Sequence, residues 1–225
     1  MNLVTSDNFK LFRMNGANNI LIGSWCLIDK EIKKNFNKNR DKIAIYHWDN
    51  KIKMSEDLVN INKIYKYFLN QLCEILNDFH KTNYNLKSWE IFIGRWLREY
   101  VSYLFDRWEQ MSYVSKNFKI DEVQLIKFDD ERFVKSNMLD FHYMLHKSNW
   151  NHWIFGKIIE SEKKFNFVHV NESDQLKKEY SIEKKEENFF TNLFNKFFSK
   201  FIFNQDLAIT CLYLPRLYKF GLLLK

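Results

Sequence analysis

The chain has 225 residues, enough to bury a sizeable core in one large domain or two small ones. Hydrophobic residues make up 46% and aromatics 18%, which excludes a disordered chain, and five Gly with one Pro are too few for a many-turned β-sandwich, so long helices are expected. The net charge of +7 admits anionic partners such as nucleotides or phospholipid headgroups, but bases alternate with acids, as in Lys184, Lys185, Glu186 and Glu187, so charge by itself does not make nucleic acid a partner.

Met1 to Asn15 is polar and lacks the continuous apolar region of a secretory signal. Asn19 to Ile22, ending at Gly23, is a short apolar run that predicts a buried strand, and Ile43 to Tyr46 predicts a second. Cys26, Cys73 and Cys211 lie far apart with no C-x-x-C pair, which gives neither a disulfide framework nor a zinc site and fits a reduced, cytoplasmic setting. Ser55 is placed to cap a long amphipathic helix reaching Phe79, with apolar residues in three- and four-residue steps. A polar loop from His80 to Lys87 leads to a second helix, from about Ser88 to Val114. Val123 to Phe128 predicts a strand, Ser136 to Glu160 helix, and Phe167 to Val170 a further short strand. Asn171 to Glu187 reads as a solvated loop or exposed helix, Phe189 to Phe203 as an amphipathic helix, and Leu207 to Leu214 as a strand. Strands interleaved with long helices predict an α/β domain over residues 1–225. No run reaches the roughly 18 uncharged apolar residues of a membrane-spanning helix.

Two clusters follow the first two predicted strands: Gly23, Ser24, Trp25, Cys26, and Tyr46, His47, Trp48, Asp49. Parallel neighbouring strands would bring them to one rim, where open α/β sheets bind ligands. His47 is the candidate acid, base or donor, Asp49 its orienting partner, and Trp25 and Trp48 are flat surfaces for a base or sugar ring. The plainer alternative has the tryptophans closing the core and Asp49 starting a turn. No nucleophile, metal or phosphate motif is present, and Gly23 has no companion glycines for a dinucleotide fingerprint, so no cofactor is indicated.

On the second long helix, Arg95, Arg98, Glu99, Ser102, Asp106 and Glu109 gather on one polar face, a cleft wall or a solvent face. Trp89, Trp96, Leu97, Tyr100, Leu104 and Trp108 form the opposite arc, and Arg107 falls among them. A charge there must pair, snorkel or bind, so Arg107 is either a clamp for phosphate or carboxylate or a structural arginine. Gly94 permits close packing. Asn151 and His152 lie near a helix start that Ser148 is placed to cap, a position for an anion or for ordinary capping. His142 and His146 share a helix face but lack an acidic third ligand at suggestive spacing, so no metal site is expected. The Phe189–Phe203 stripe suits core packing, a lobe interface or peripheral contact with a membrane surface.

The ordered series Gly23-Ser24-Trp25-Cys26, Tyr46-His47-Trp48-Asp49, Ile93-Gly94-Arg95-Trp96-Leu97 and Phe105-Asp106-Arg107-Trp108 resembles a transferase family of bacterial O-antigen loci first described in spirochaetes. Trp150-Asn151-His152 and Tyr213-Leu214-Pro215 are similar to later elements of that family. The resemblance implies a cytoplasmic, glycosyltransferase-like enzyme of surface-polysaccharide assembly acting on a nucleotide sugar or glycan. It also implies a Rossmann-like, helix-rich lobe that forms one half of a two-lobed GT-B-type architecture. The family's members are longer, and the apolar run Gly221 to Lys225 reads as cut off. The chain is therefore expected to be the acceptor-side lobe, completed by a second lobe or partner chain and an incomplete enzyme by itself. The competing expectation is a noncatalytic module that docks a membrane or a partner through the Phe-rich helix.

Overall fold

A computed structural model describes residues 1–13, 18–135 and 137–172. The chain divides into two units, Met1–Val170 and Asn171–Lys225. The first carries all the described helices and the sheet, whose last strand ends at the boundary. The expectations for the charged stretch beyond Glu172, the Phe189–Phe203 helix and the Leu207–Leu214 strand lie outside the described residues.

Five strands form one sheet in the order β3-β2-β1-β4-β5, where β1 is Asn2–Val4, β2 Asn19–Leu21, β3 Lys42–Ile43, β4 Glu122–Lys127 and β5 Phe167–Asn171. The pairs β1–β2, β1–β4 and β2–β3 are parallel. Strand order therefore runs outward from β1 to β3 on one side and then resumes with β4 on the other. Such a reversal is the topological switch of doubly wound sheets. α1 (Lys30–Asn35) joins β2 to β3, and the long hairpin of α2 (Lys51–His80) and α3 (Leu86–Asn117) joins β3 to β4. α4 (Met138–Leu145) and α5 (Ser148–Glu162) join β4 to β5. The expected α/β class holds.

The central strand is the one the sequence hides. β1 is three residues long and fully buried, yet its first residue is polar. Asn2 is accommodated because its side-chain amide donates to Leu11 O and to Asn19 Oδ1. Beside β2, Asp41 is buried and accepts from the Asn19 backbone and side chain, from the Asn37 backbone and from Arg40. Burial opposes its charge, but those donors outweigh burial and hold its carboxyl below the usual range.

α2 begins five residues earlier than Ser55 predicts, because the Asn50 carboxamide accepts from the Ile52 and Lys53 amides. Ser55 instead bonds back to Lys51 O inside the helix. Asn85 caps α3 by accepting from Ser88 N. The predicted helix over Ser136–Glu160 breaks into α4 and α5, with His146 and Lys147 closing back onto the end of α4. Lys147, not Ser148, precedes α5, and no side chain caps that end.

α2 and α3, of 30 and 32 residues, are each roughly 45 Å long. They pack through Ile61, Tyr65, Leu69, Leu97 and Val101, with Trp48, Ile64, Leu72, Ile93 and Phe105 at the margin. Gly94 meets a side chain rather than a backbone: an added Cβ would lie 2.8 Å from Tyr65 Oη. The apolar arc of α3 is only partly enclosed. Trp89 and Leu97 are buried, whereas Trp96 and Trp108 are exposed and Asp106, on the polar face, is buried. The polar face is thus exposed to solvent near Arg95 and buried near Asp106.

Candidate functional site

The parallel pairing of β2 and β3 brings both predicted clusters to the carboxyl rim of the sheet. β3 is followed by a single tight turn, His47–Asp49, whose next residue is the Asn50 cap of α2. That direct passage from strand to turn to cap sets His47 beside the carboxyl half of α3. Gln110 anchors it there: its Oε1 accepts from His47 N at 3.1 Å, and its Nε2 donates to Ile22 O at 2.8 Å and Ile45 O at 3.1 Å. One buried amide therefore joins α3 to the residues that follow β2 and β3.

Asp106 is the centre of the cluster. Its Oδ1 accepts from Tyr46 OH at 2.7 Å and from His47 Nε2 at 2.9 Å, and its Oδ2 pairs with Arg107 Nη1. Arg107 Nε donates to Asn151 Oδ1 at 2.7 Å, and its guanidinium lies 5.6 Å over the Tyr103 ring. The amide of Asn151 in turn donates to the Leu145 and Lys147 carbonyls. His47, Asp106, Arg107 and Asn151 thus form one hydrogen-bonded chain. Burial pulls the Arg107 guanidinium below its ordinary value, and the charge persists because Asp106 faces it.

Burial, with the nearby Lys53 ammonium, also pulls His47 below the ordinary imidazole value, so the ring is neutral at pH 7. Since Nε2 gives its hydrogen to the Asp106 carboxylate, Nδ1 carries the lone pair. Nδ1 is buried, has no hydrogen-bond partner among the described residues and lies 3.7 Å from Asp57 Oδ2. Asp57 also accepts from Trp48 Nε1 at 2.9 Å and from Lys53 Nζ at 2.8 Å, and Lys53 Nζ reaches Glu109 Oε2 at 2.7 Å. One ligand atom each from His47, Asp57 and Glu109 fall within 4.8 Å of one another. The sequence offers little sign of this group: Asp57 is ten residues from His47, Glu109 is on another helix, and the spacing matches no metal motif.

Four predicted residues lie elsewhere. Asp49 is exposed, and the carboxylate bonded to His47 is that of Asp106. Trp25 lies against Gly23, where an added Cβ would enter its ring. Arg95 is on the exposed part of α3 beside Glu99, at 3.5 Å, some 12 residues or about 18 Å along the helix from Arg107. His152 is buried at the switch point: its Nε2 accepts from Ile126 N at 3.0 Å and its Nδ1 meets Thr5 Oγ1 at 2.6 Å. It ties the ends of β1 and β4 to α5, and burial lowers its pKa to about 4.

A family model described as LIC12162 family transferase matches residues 1–225. Neither a curated protein nor a solved structure matches significantly. Among the described residues, no helix is long and apolar enough to cross a membrane.

Proposed function

Because the chain belongs to the LIC12162 family of transferases, we propose that it is the acceptor-side lobe of a glycosyltransferase-like enzyme building bacterial surface polysaccharide of the O-antigen kind. The observation that carries this reading is the His47–Asp106–Arg107–Asn151 chain at the carboxyl rim of a parallel sheet. Rims of this kind hold ligands in doubly wound folds.

Transfer of a sugar from a nucleoside diphosphate sugar needs two things from the protein. The acceptor hydroxyl must lose its proton as its oxygen bonds to the anomeric carbon, and the departing diphosphate must have its charge met. The Nδ1 lone pair of His47 is suited to the first, either by taking the proton or by holding a cation that acidifies the hydroxyl. Arg107 supplies a guanidinium suited to phosphate, and half-buried Trp48 a face for a pyranose ring. A second lobe or partner chain holds the donor, and the reaction belongs to the cytoplasmic face of the inner membrane.

Thermal denaturation with nucleotide sugars, free nucleotides and short glycans tests the reading. Saturable stabilisation by a glycan or nucleotide sugar is expected, weakened at least tenfold in Trp48→Phe and in Arg107→Lys with folding intact. Equal stabilisation of these variants and the parent by every ligand, or none at all, sinks it.

A further inference from the structure

We propose that His47, Asp57 and Glu109 form a divalent-cation site whose place is held by the Lys53 ammonium until an ion displaces it. Its existence rests on the geometry alone; its role in transfer rests on the function proposed above.

Three independent observations converge. The first is the orphaned nitrogen. His47 Nδ1 is buried and without a hydrogen-bond partner among the described residues, a state that costs free energy unless a ligand uses the lone pair. The second is the arrangement behind the ring. Metal-binding histidines donate their other ring N–H to a carboxylate, which sets the tautomer and raises the basicity of the ligating nitrogen. His47 Nε2 does this with Asp106, itself held by Tyr46 and Arg107. Asp57 Oδ2, the oxygen nearest Nδ1, is held in place by Trp48 Nε1.

The third is the lysine. Lys53 Nζ lies 2.8 Å from Asp57 and 2.7 Å from Glu109, so the fold already places a positive charge between the carboxylates. Lys53 is the residue that can leave: its side chain is 33% exposed and begins in the first turn of α2, so its ammonium can swing into water. Glu109, at 28% exposed, opens the same side to an entering ion. One imidazole and two carboxylates suit Zn²⁺ or Mn²⁺ better than Mg²⁺, which prefers oxygen and its own waters. Three protein ligands leave coordination open for an oxygen from substrate, the pattern of catalytic rather than structural ions.

Isothermal titration of the full chain with Zn²⁺, and Mn²⁺ titration followed by electron paramagnetic resonance, measure binding without reference to activity. One saturable equivalent is expected. Glu109→Gln, a change at the surface, should weaken it at least tenfold, and Lys53→Ala should tighten it at least tenfold by removing the competing ammonium. His142→Ala, outside the site, should change nothing. Absence of a saturable equivalent, or binding indifferent to both Glu109→Gln and Lys53→Ala, overturns the site. If the ion fails to bind but glycan stabilisation persists in EDTA, the transferase reading stands and only the cation is lost.

Discussion

At the scale of single residues, the structure separates two buried histidines that look alike in sequence. His152 has both ring nitrogens engaged, by Ile126 N and Thr5 Oγ1, and so holds strands together. His47 has one engaged and one bare, and so is available for chemistry. The difference predicts a pH effect for His152. Its pKa falls from 6.5 to about 4 on folding, so between those values the unfolded chain binds more protons and stability drops as pH falls. The full drop is roughly 3 kcal/mol. Urea denaturation at pH 7 and pH 4.5 should show a decline larger in the parent than in His152→Asn, which is less stable throughout; equal slopes would refute the assignment. Asp106 gives a second prediction. Asp106→Asn leaves the Arg107 guanidinium buried without a counter-charge, and a loss of about 3 kcal/mol is expected in the same assay. Pairing this change with Arg107→Met should recover much of it.

At the scale of elements, the α2–α3 hairpin depends on close approach at Gly94 and on how α2 stops. Ala is ordinarily favoured over Gly inside a helix by about 1 kcal/mol. Here its Cβ would press on Tyr65 Oη, a group held by Glu90 inside a buried contact. Gly94→Ala is therefore expected to lower the melting temperature in the parent and to raise it in a Tyr65→Phe background, where the oxygen is gone. Lys81, which ends α2, has φ 54° in the left-handed region. Lys81→Gly should stabilise by about 1 kcal/mol, since Gly adopts that conformation without a Cβ penalty; a loss would mean the lysine side chain contributes more than its backbone costs. Helix periodicity made both long helices legible, because ten apolar positions in three- and four-residue steps from Leu58 to Phe79 leave no other reading. Their starts were less legible: Asn50 and Asn85 cap them through geometry that any nearby Asn, Ser or Asp is equally able to supply.

At the scale of the whole molecule, the sheet is organised around β1, and that arrangement has a measurable consequence. Leu3 and Val4 are buried between β2 and β4, so their amides should exchange with solvent only on global unfolding, more slowly than those of edge strand β3. Faster exchange at Leu3 than at Ile43 would contradict the topology. The sequence by itself determined the α/β class, the two long helices and the strands before Trp25 and Tyr46, and it offered His47, Arg107 and Asn151 as candidates. These rest on local pattern: periodicity, short apolar runs, and a charge on an apolar arc. Only the tertiary structure decided that a three-residue segment beginning with Asn is the central strand, that Asp106 rather than Asp49 meets His47, and that Asp57, Glu109 and Lys53 gather at its bare nitrogen. Those depend on which residues distant in sequence are brought within hydrogen-bonding range, and residue spacing along the chain carries no record of that until the sheet order and the crossing of α3 over its rim are established.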